Sequence, residues 1–327
     1  MSRLSVLPIL LAAALLSTAA AAAPWLSVAN GGRDTVWRQR DGHLIVFERP
    51  GQMRVQRDFG PGLIGFSAAP DTTRVALWFA RATGAEIFVW DYATDHISAA
   101  PTESAQTSAG LAWAADGRSL LLARPDLGGL TSVTGFLAPD TFIATPGLNV
   151  VHNYCALSST IAGFLALSTP ESVYLGAAGS LGLVHHNVEL GVTEPATLRF
   201  STDGQTLVAG GPKQIVILAT AGGAPRALDL GPTPASGAFD LSTDGTTLYL
   251  AAENRLQRMS LTTSEVLGNH EVRAPGPRPL AAQTVPIMGA VAIAYDDGTI
   301  AWYLPGERRA VGPWPAEATG EIGRAHV

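Results

Sequence analysis

The sequence predicts an all-β fold built from repeats of one short unit, in which a tight turn joins two strands. Gly and Pro are frequent, with 35 and 22 residues, and only 15% of the residues are charged. Alternating apolar stretches such as Val75–Ala80 recur along the chain and are typical of half-buried strands. Because the turns repeat every 41 to 45 residues, the sequence predicts a β-propeller of seven four-stranded blades, with six as the alternative.

The repeated unit consists of an alternating strand, an Asp-Gly turn and a second strand. It is clearest in Leu111–Ala123, Leu198–Gly210 and Phe239–Ala251; a looser copy spans Ile64–Leu77 and a degenerate one Ala156–Leu167. The turn positions 71, 116, 160, 203 and 244 are separated by 45, 44, 43 and 41 residues. Asp-Gly is typical of two-residue hairpin turns, which need positive φ angles, so we expect such turns here.

The two ends of the predicted propeller resemble each other. Thr35–Phe47 and Ala290–Trp302 both read strand, Asp-Gly, strand, and a Pro-Gly pair and a further strand follow each. Both therefore correspond to the second, third and fourth strands of a blade. We place the blades at residues 25–60, 61–104, 105–148, 149–190, 191–231, 232–272 and 273–316. A β-sandwich or a solenoid with similar strand lengths is the alternative architecture.

The first 23 residues are expected to precede the propeller, which we place at residues 24–316. They combine Arg3, an apolar run over Leu4–Leu16 and several Ala-x-Ala sites before Pro24. This pattern is typical of a secretory signal peptide, with an uncleaved N-terminal anchor as the alternative. No later apolar stretch is long enough to span a membrane, so we expect a periplasmic or secreted protein.

The C-terminal tail, residues 317–327, has an unusual end. Its last seven residues, Glu321–Val327, equal one reading frame of a common sequencing adapter. We therefore expect this tail to be truncated or artefactual, which leaves room for a further domain; a genuine tail is the alternative.

Composition argues against several classes of function. The net charge is −6, and no basic stripe offers an electrostatic footprint for nucleic acid. A single cysteine, Cys155, excludes an intramolecular disulfide, a cysteine zinc site and a CxxCH haem motif. Its neighbours are apolar, so we interpret it as a small buried hydrophobe.

Two copies of the turn, Trp113–Leu121 and Phe200–Leu207, resemble those of bacterial exported propellers, namely WD40-like, TolB-like and YVTN-type repeat proteins. The resemblance covers most of residues 61–270 and implies a fold rather than an activity, because the motif builds hairpins. There are two departures from true WD40 repeats. No blade opens with their Gly-His pair, and Trp90-Asp91 is the only Trp-Asp pair. A eukaryotic-type WD40 protein is therefore not expected.

Motifs that carry catalytic or metal chemistry are weak. Ser180 lies in Ala178–Gly182, which lacks the first glycine of a nucleophile elbow, and neither HExxH nor a P-loop occurs. The adjacent His185 and His186 are predicted to point to opposite faces of a strand. His152 with one of this pair is the remaining candidate for a metal site.

The other polar candidates have structural interpretations. Asp residues in the Asp-Gly turns are explained by turn chemistry. Arg199 and Asp240 are candidates for the central channel because they lie on inner strands, but they belong to no repeated ring. The seven Trp residues do not recur at one blade position, so we interpret them as packing between blades.

We therefore assign no catalytic residue, cofactor or metal site from the sequence. The favoured function is a binding or scaffolding module in the cell envelope, in which blade loops on one face contact a protein or glycan partner. The alternatives are a propeller enzyme of lactonase or quinoprotein type and the N-terminal part of a longer surface protein.

Overall fold

The computed structural model shows an all-β chain. It describes residues 26–81, 84–99, 110–113, 117, 119–124, 129–134, 141–144, 156–159, 164–168, 172–177, 184–188, 197–201, 203–211, 213–231 and 238–315. Among these are 28 strands in seven four-stranded sheets. The expected signal peptide and tail lie outside the described residues, as do Cys155, His152 and Ser180.

The first three sheets lie in sequence order. Sheet 1 contains β1 Leu26–Ala29, β2 Asp34–Arg38, β3 His43–Arg49 and β4 Gln52–Asp58. Sheet 2 contains β5 Leu63–Ala68, β6 Arg74–Arg81, β7 Gly84–Asp91 and β8 His96–Ala99. Sheet 3 contains β9 Gly110–Trp113, β10 Ser119–Arg124, β11 Gly129–Thr134 and β12 Thr141–Ala144.

The remaining four sheets continue the same pattern. Sheet 4 contains β13 Ala156–Ser159, β14 Phe164–Ser168, β15 Ser172–Ala177 and β16 Val184–Asn187. Sheet 5 contains β17 Thr197–Phe200, β18 Thr206–Gly210, β19 Ile215–Ala219 and β20 Arg226–Ala227. Sheet 6 contains β21 Phe239–Leu241, β22 Thr247–Ala252, β23 Arg255–Ser260 and β24 Val266–Glu271. Sheet 7 contains β25 Pro279–Val285, β26 Ala290–Tyr295, β27 Thr299–Leu304 and β28 Arg309–Pro315.

Each sheet is an antiparallel meander in which consecutive strands are neighbours. The first strand of each sheet, which we call its inner strand, contacts the inner strand of the next sheet, and β25 contacts β1. Sheets that meet in succession along their inner strands form the architecture of a β-propeller. The prediction of an all-β propeller is thus confirmed.

The core lies between the faces of successive sheets. Fully buried side chains of sheet 1, such as Val36 and Leu44, pack against Phe66 and Leu77 of sheet 2. A corresponding cluster joins sheets 7 and 1, where the ring of Phe47 meets that of Trp302 edge-on at 4.9 Å. The described Trp side chains are buried in such clusters, which confirms their interpretation as packing residues: Trp37, Trp78, Trp90, Trp113 and Trp302.

The Asp-Gly turns require one correction. Gly204 and Gly245 have φ angles of 68° and 69°, as predicted, but Asp203 and Asp244 are not among the residues with positive φ. The flanking pair is Ser242 N to Thr247 O at 2.8 Å, so four residues, rather than two, separate the paired strands. The expected two-residue turn is therefore wrong, and only the glycine needs the left-handed conformation.

No helix in the described part of the chain is long and apolar enough to cross a membrane. The helical segments described are two single 3-10 turns, Asn30–Gly32 between β1 and β2 and Pro286–Met288 between β25 and β26.

Candidate functional site

The inner strands of sheets 5, 6 and 7 bring the two channel candidates together. Arg199 on β17 and Asp240 on β21 form an ion pair, with 3.2 Å between Nε and Oδ1. The Nε–H of Arg199 does not point at this oxygen with hydrogen-bond geometry. The sequence placed both residues on inner strands, and the structure adds that they are partners across neighbouring sheets.

The second carboxylate oxygen of Asp240 binds the next sheet. Oδ2 accepts hydrogen bonds from the side-chain amide of Gln283 at 2.8 Å and from the backbone N–H of Thr284 at 2.5 Å. The hydroxyl of Thr284 in turn donates to the carbonyl of Leu241 at 2.6 Å. One carboxylate therefore links three consecutive inner strands.

Burial dominates the electrostatics of Asp240. Its residue is only 6% exposed, and this desolvation raises the pKa of the carboxyl, while Arg199 and the Thr284 N–H oppose the rise. A carboxyl with a raised pKa is a recognised property of general acids and bases. Here, however, both oxygens already have partners within the fold, so the group is engaged in holding the sheets together.

Serines make the same kind of bond at other junctions. The hydroxyl oxygen of Ser27 accepts from the N–H of Ala68, and that of Ser67 accepts from the N–H of Trp113, each at 3.3 Å. Like Asp240, these serines lie on inner strands and reach the inner strand of the next sheet. The polar side chain thus links neighbouring sheets, and its residue type differs from one junction to the next.

A signal for the Arg199–Asp240 contact exists in the sequence. Each residue precedes the aspartate of its Asp-Gly turn by four positions, as Arg199 precedes Asp203 and Asp240 precedes Asp244. Equivalent positions in consecutive repeats become spatial neighbours once the repeats stack side by side.

The two histidines of β16 lie apart, as predicted. His185 is exposed, stacks on Tyr174 with 5.0 Å between ring centroids, and has Nε2 2.8 Å from the hydroxyl oxygen of Ser172. His186 is buried, and this burial, together with the neighbouring His185, lowers its pKa. Within the described ranges, no group of three His, Cys, Asp or Glu side chains is placed to hold a metal.

The turn aspartates act as the sequence predicts. Asp244 accepts from the hydroxyl of Ser242 at 2.5 Å and from the N–H of Thr246 at 3.1 Å. The hydroxyl of Ser242 is the largest cause that lowers the pKa of Asp244, followed by Thr246. Asp203 makes the equivalent contacts with Ser201 and Gln205. These carboxylates are stabilised as ions by the turns themselves.

Three turns between first and second strands form a continuous surface, which we call the turn platform: Asn30–Gly32, Pro70–Thr72 and Pro286–Met288. The N–H groups of Asn30 and Gly31 donate to the carbonyls of Thr72 and Pro70 at 3.0 and 2.8 Å. The turn at Pro286–Met288 packs against that at Asn30–Gly32. Ile287 projects from this platform with 66% of its surface exposed.

Comparison of the sequence with models of known protein families and with curated proteins found no match.

Proposed function

We propose that the protein is an exported bacterial propeller that acts as a binding or scaffolding module in the periplasm or outside the cell. We further propose that its seven sheets are seven blades of one closed ring, since the inner strand of the last sheet contacts that of the first. The signal-peptide pattern of residues 1–23 supports export, and the Asp-Gly phrases support a place among WD40-like, TolB-like or YVTN-type proteins.

The observation that carries the binding role is Ile287 on the turn platform. The buried core of a protein interface is more apolar than the rest of the surface, so we propose Ile287 as the apolar anchor of such a contact. Its turn is fixed on both sides, by Pro286 at the start and by the Gly289 N–H that donates to the Pro286 carbonyl at 3.1 Å. A fixed loop loses little conformational entropy on binding, so an apolar anchor here favours a protein partner over a glycan.

The inner-strand chemistry supports the same conclusion. Asp240 is the only acidic residue and Arg199 the only basic residue on the seven inner strands. Both oxygens of Asp240 are occupied by contacts between sheets. An enzyme that used this carboxylate would have to release it from those contacts, whereas a scaffold would keep them.

The test is site-specific crosslinking in the bacterium that encodes the protein. A photoreactive amino acid at position 287 should yield a discrete adduct, and the variant Ile287→Asp with a neighbouring probe should yield much less. Leu267, on the outer strand β24 and 49% exposed, provides a matched control position. Equal crosslinking from positions 287 and 267 would contradict a specific site on the platform.

A second measurement addresses the enzyme alternative. We expect Asp240→Asn to leave crosslinking from position 287 intact, because the platform does not include that residue. Turnover of a lactone, an ester or a quinone-dependent substrate that Asp240→Asn abolishes would instead favour a propeller enzyme.

A further inference from the structure

Two of the junctions between sheets share a second contact, far from the inner strands. At the junction of sheets 1 and 2, Arg57 on β4 forms an ion pair with Asp95 in the β7–β8 turn. At the junction of sheets 5 and 6, Arg226 on β20 donates to the hydroxyl oxygen of Ser264 in the β23–β24 turn at 3.2 Å. In each case a donor on a fourth strand reaches a turn of the next sheet, 38 residues later.

The same spacing identifies the equivalent pair between sheets 6 and 7. His270 on β24 and Arg308 in the β27–β28 turn are also 38 residues apart. The turn residue has the same left-handed conformation at all three junctions, with φ angles of 56°, 60° and 53° for Asp95, Ser264 and Arg308. At this junction, therefore, a basic side chain stands where the others have an acceptor.

More cationic and donor groups converge on His270. A Cβ atom on Gly268 would lie 3.1 Å from Nε2 of His270, so the imidazole folds over that glycine. Gly268 is the register partner of Arg258 on β23, which brings Arg258 to the same face. The ring of Tyr303, from sheet 7, covers the imidazole with 4.6 Å between centroids.

Three polar atoms of this cluster lack a hydrogen-bond partner, although the Arg258 side chain also bonds the hydroxyl of Tyr249 on β22. Nε of Arg258, Nε2 of His270 and the hydroxyl of Tyr303 are buried and make no hydrogen bond with the described residues. Tyr303 itself is fully buried within the apolar cluster between sheets 6 and 7. Buried donors without acceptors cost about 1 to 3 kcal/mol each, so their convergence calls for an acceptor.

The carboxylates next to His270 and Arg308 in the sequence do not supply that acceptor. Glu271 points to the opposite face of β24 from His270 and accepts from Asn254 at 3.3 Å. Glu307 pairs with Arg309. In the described part of the chain, no carboxylate forms an ion pair with Arg258 or Arg308. Burial, with these two arginines, lowers the pKa of His270, which agrees with an excess of positive charge.

We propose that the junction of sheets 6 and 7 binds a doubly charged oxyanion such as phosphate or sulfate, with three at least partly exposed side chains as donors: Arg258, His270 and Arg308. Two guanidinium groups favour a doubly charged tetrahedral anion over a monocarboxylate, because each can donate more than one charge-assisted hydrogen bond. The bound anion replaces the acceptor that Asp95 and Ser264 provide at the other junctions.

The test compares inorganic phosphate, sulfate and acetate with chloride at constant ionic strength, using thermal unfolding and titration calorimetry of the full chain. Phosphate and sulfate should raise the Tm by about 3 °C at twentyfold excess over Kd, and acetate by much less. Arg308→Asn suits the left-handed turn, and Arg258→Gln removes the second guanidinium. Each should weaken the calorimetric Kd for phosphate at least tenfold.

Arg226→Gln is the matched control, since it removes the corresponding donor at the junction of sheets 5 and 6. It should lower the Tm without phosphate and leave the Kd for phosphate unchanged. No heat of binding, equal stabilisation by acetate, or an unchanged Kd in both Arg308→Asn and Arg258→Gln would each overturn the proposal.

Discussion

Removal of the Asp240 side chain is expected to loosen three sheets at once. In Asp240→Ala, the N–H of Thr284 and the side-chain amide of Gln283 both lose their acceptor. Each buried donor left without an acceptor costs about 1 to 3 kcal/mol. Arg199 keeps a side chain that is 24% exposed, so water solvates its charge and the loss of the ion pair adds little.

The expected cost of Asp240→Ala is therefore about 2 to 6 kcal/mol, or a fall in Tm of about 3 to 10 °C. Asp240→Asn keeps an acceptor oxygen for Thr284 and should cost less than half as much. Chemical denaturation of the wild type and both variants measures these differences. An Asp240→Ala variant as stable as the wild type would refute a fastening role for this carboxylate.

Comparison of the wild type with Asp240→Asn also predicts how the free energy of unfolding changes with pH. Burial raises the pKa of Asp240 in the folded state above its ordinary value of 3.8. The folded protein therefore holds this proton more tightly, and the contribution of Asp240 to stability is greatest below about pH 3.8. It falls as the pH rises through the folded pKa, by at most about 1.4 kcal/mol per pH unit. The stability of wild type relative to Asp240→Asn should fall over that range, and a rise would contradict the assignment.

Three further predictions concern the turns, export and chemistry. Gly204→Val and Gly245→Val should each cost about 1 kcal/mol or more, because both glycines have positive φ and a Cβ on Gly245 would lie 2.9 Å from that of Ser201. Gly306→Val, with no atom near its Cβ, is the control. Equal melting temperatures of all three variants would show that the turns are misplaced. Mass spectrometry of exported protein should find a mature start at or near Pro24, and intact Met1 in a soluble cytoplasmic fraction would argue against export. Elemental analysis and a lactone and ester screen should find no stoichiometric metal and no turnover.

The sequence predicts the strands of sheets 1 and 7 well, because several local signals agree there. In sheets 1 and 7, alternation, Asp-Gly and Pro-Gly all place the breaks at the same positions, and β2–β4 and β26–β28 follow them. The length of the turn is harder to predict, because Asp-Gly alone does not reveal that the preceding serine forms hydrogen bonds within the turn. In the structure, the Ser242 hydroxyl donates to Asp244 and accepts from the N–H of Thr247 at 2.9 Å, which stabilises a longer loop.

Contacts between sheets are harder to predict, since they depend on how neighbouring repeats align. Arg199 and Asp240 are 41 residues apart, and Arg57 and Asp95 are 38 apart. No local sequence pattern indicates whether residues 38 or 41 positions apart will be in contact. Once the register of the sheets is fixed, however, the spacing found at one junction can be applied to the next.

Applying the spacing of one junction to the next separates the polar residues that stabilise the fold from those that do not. Asp240 looks like a catalytic carboxylate by burial, yet serine hydroxyls make the same kind of contact at two other junctions. The contacts between sheets therefore explain why a buried carboxylate stands at this position. His270 and Arg308 occupy a position whose equivalents also link sheets, but Nε2 of His270 makes no hydrogen bond in the structure. The cluster that the fold leaves unexplained is thus the cluster to which a ligand is best assigned.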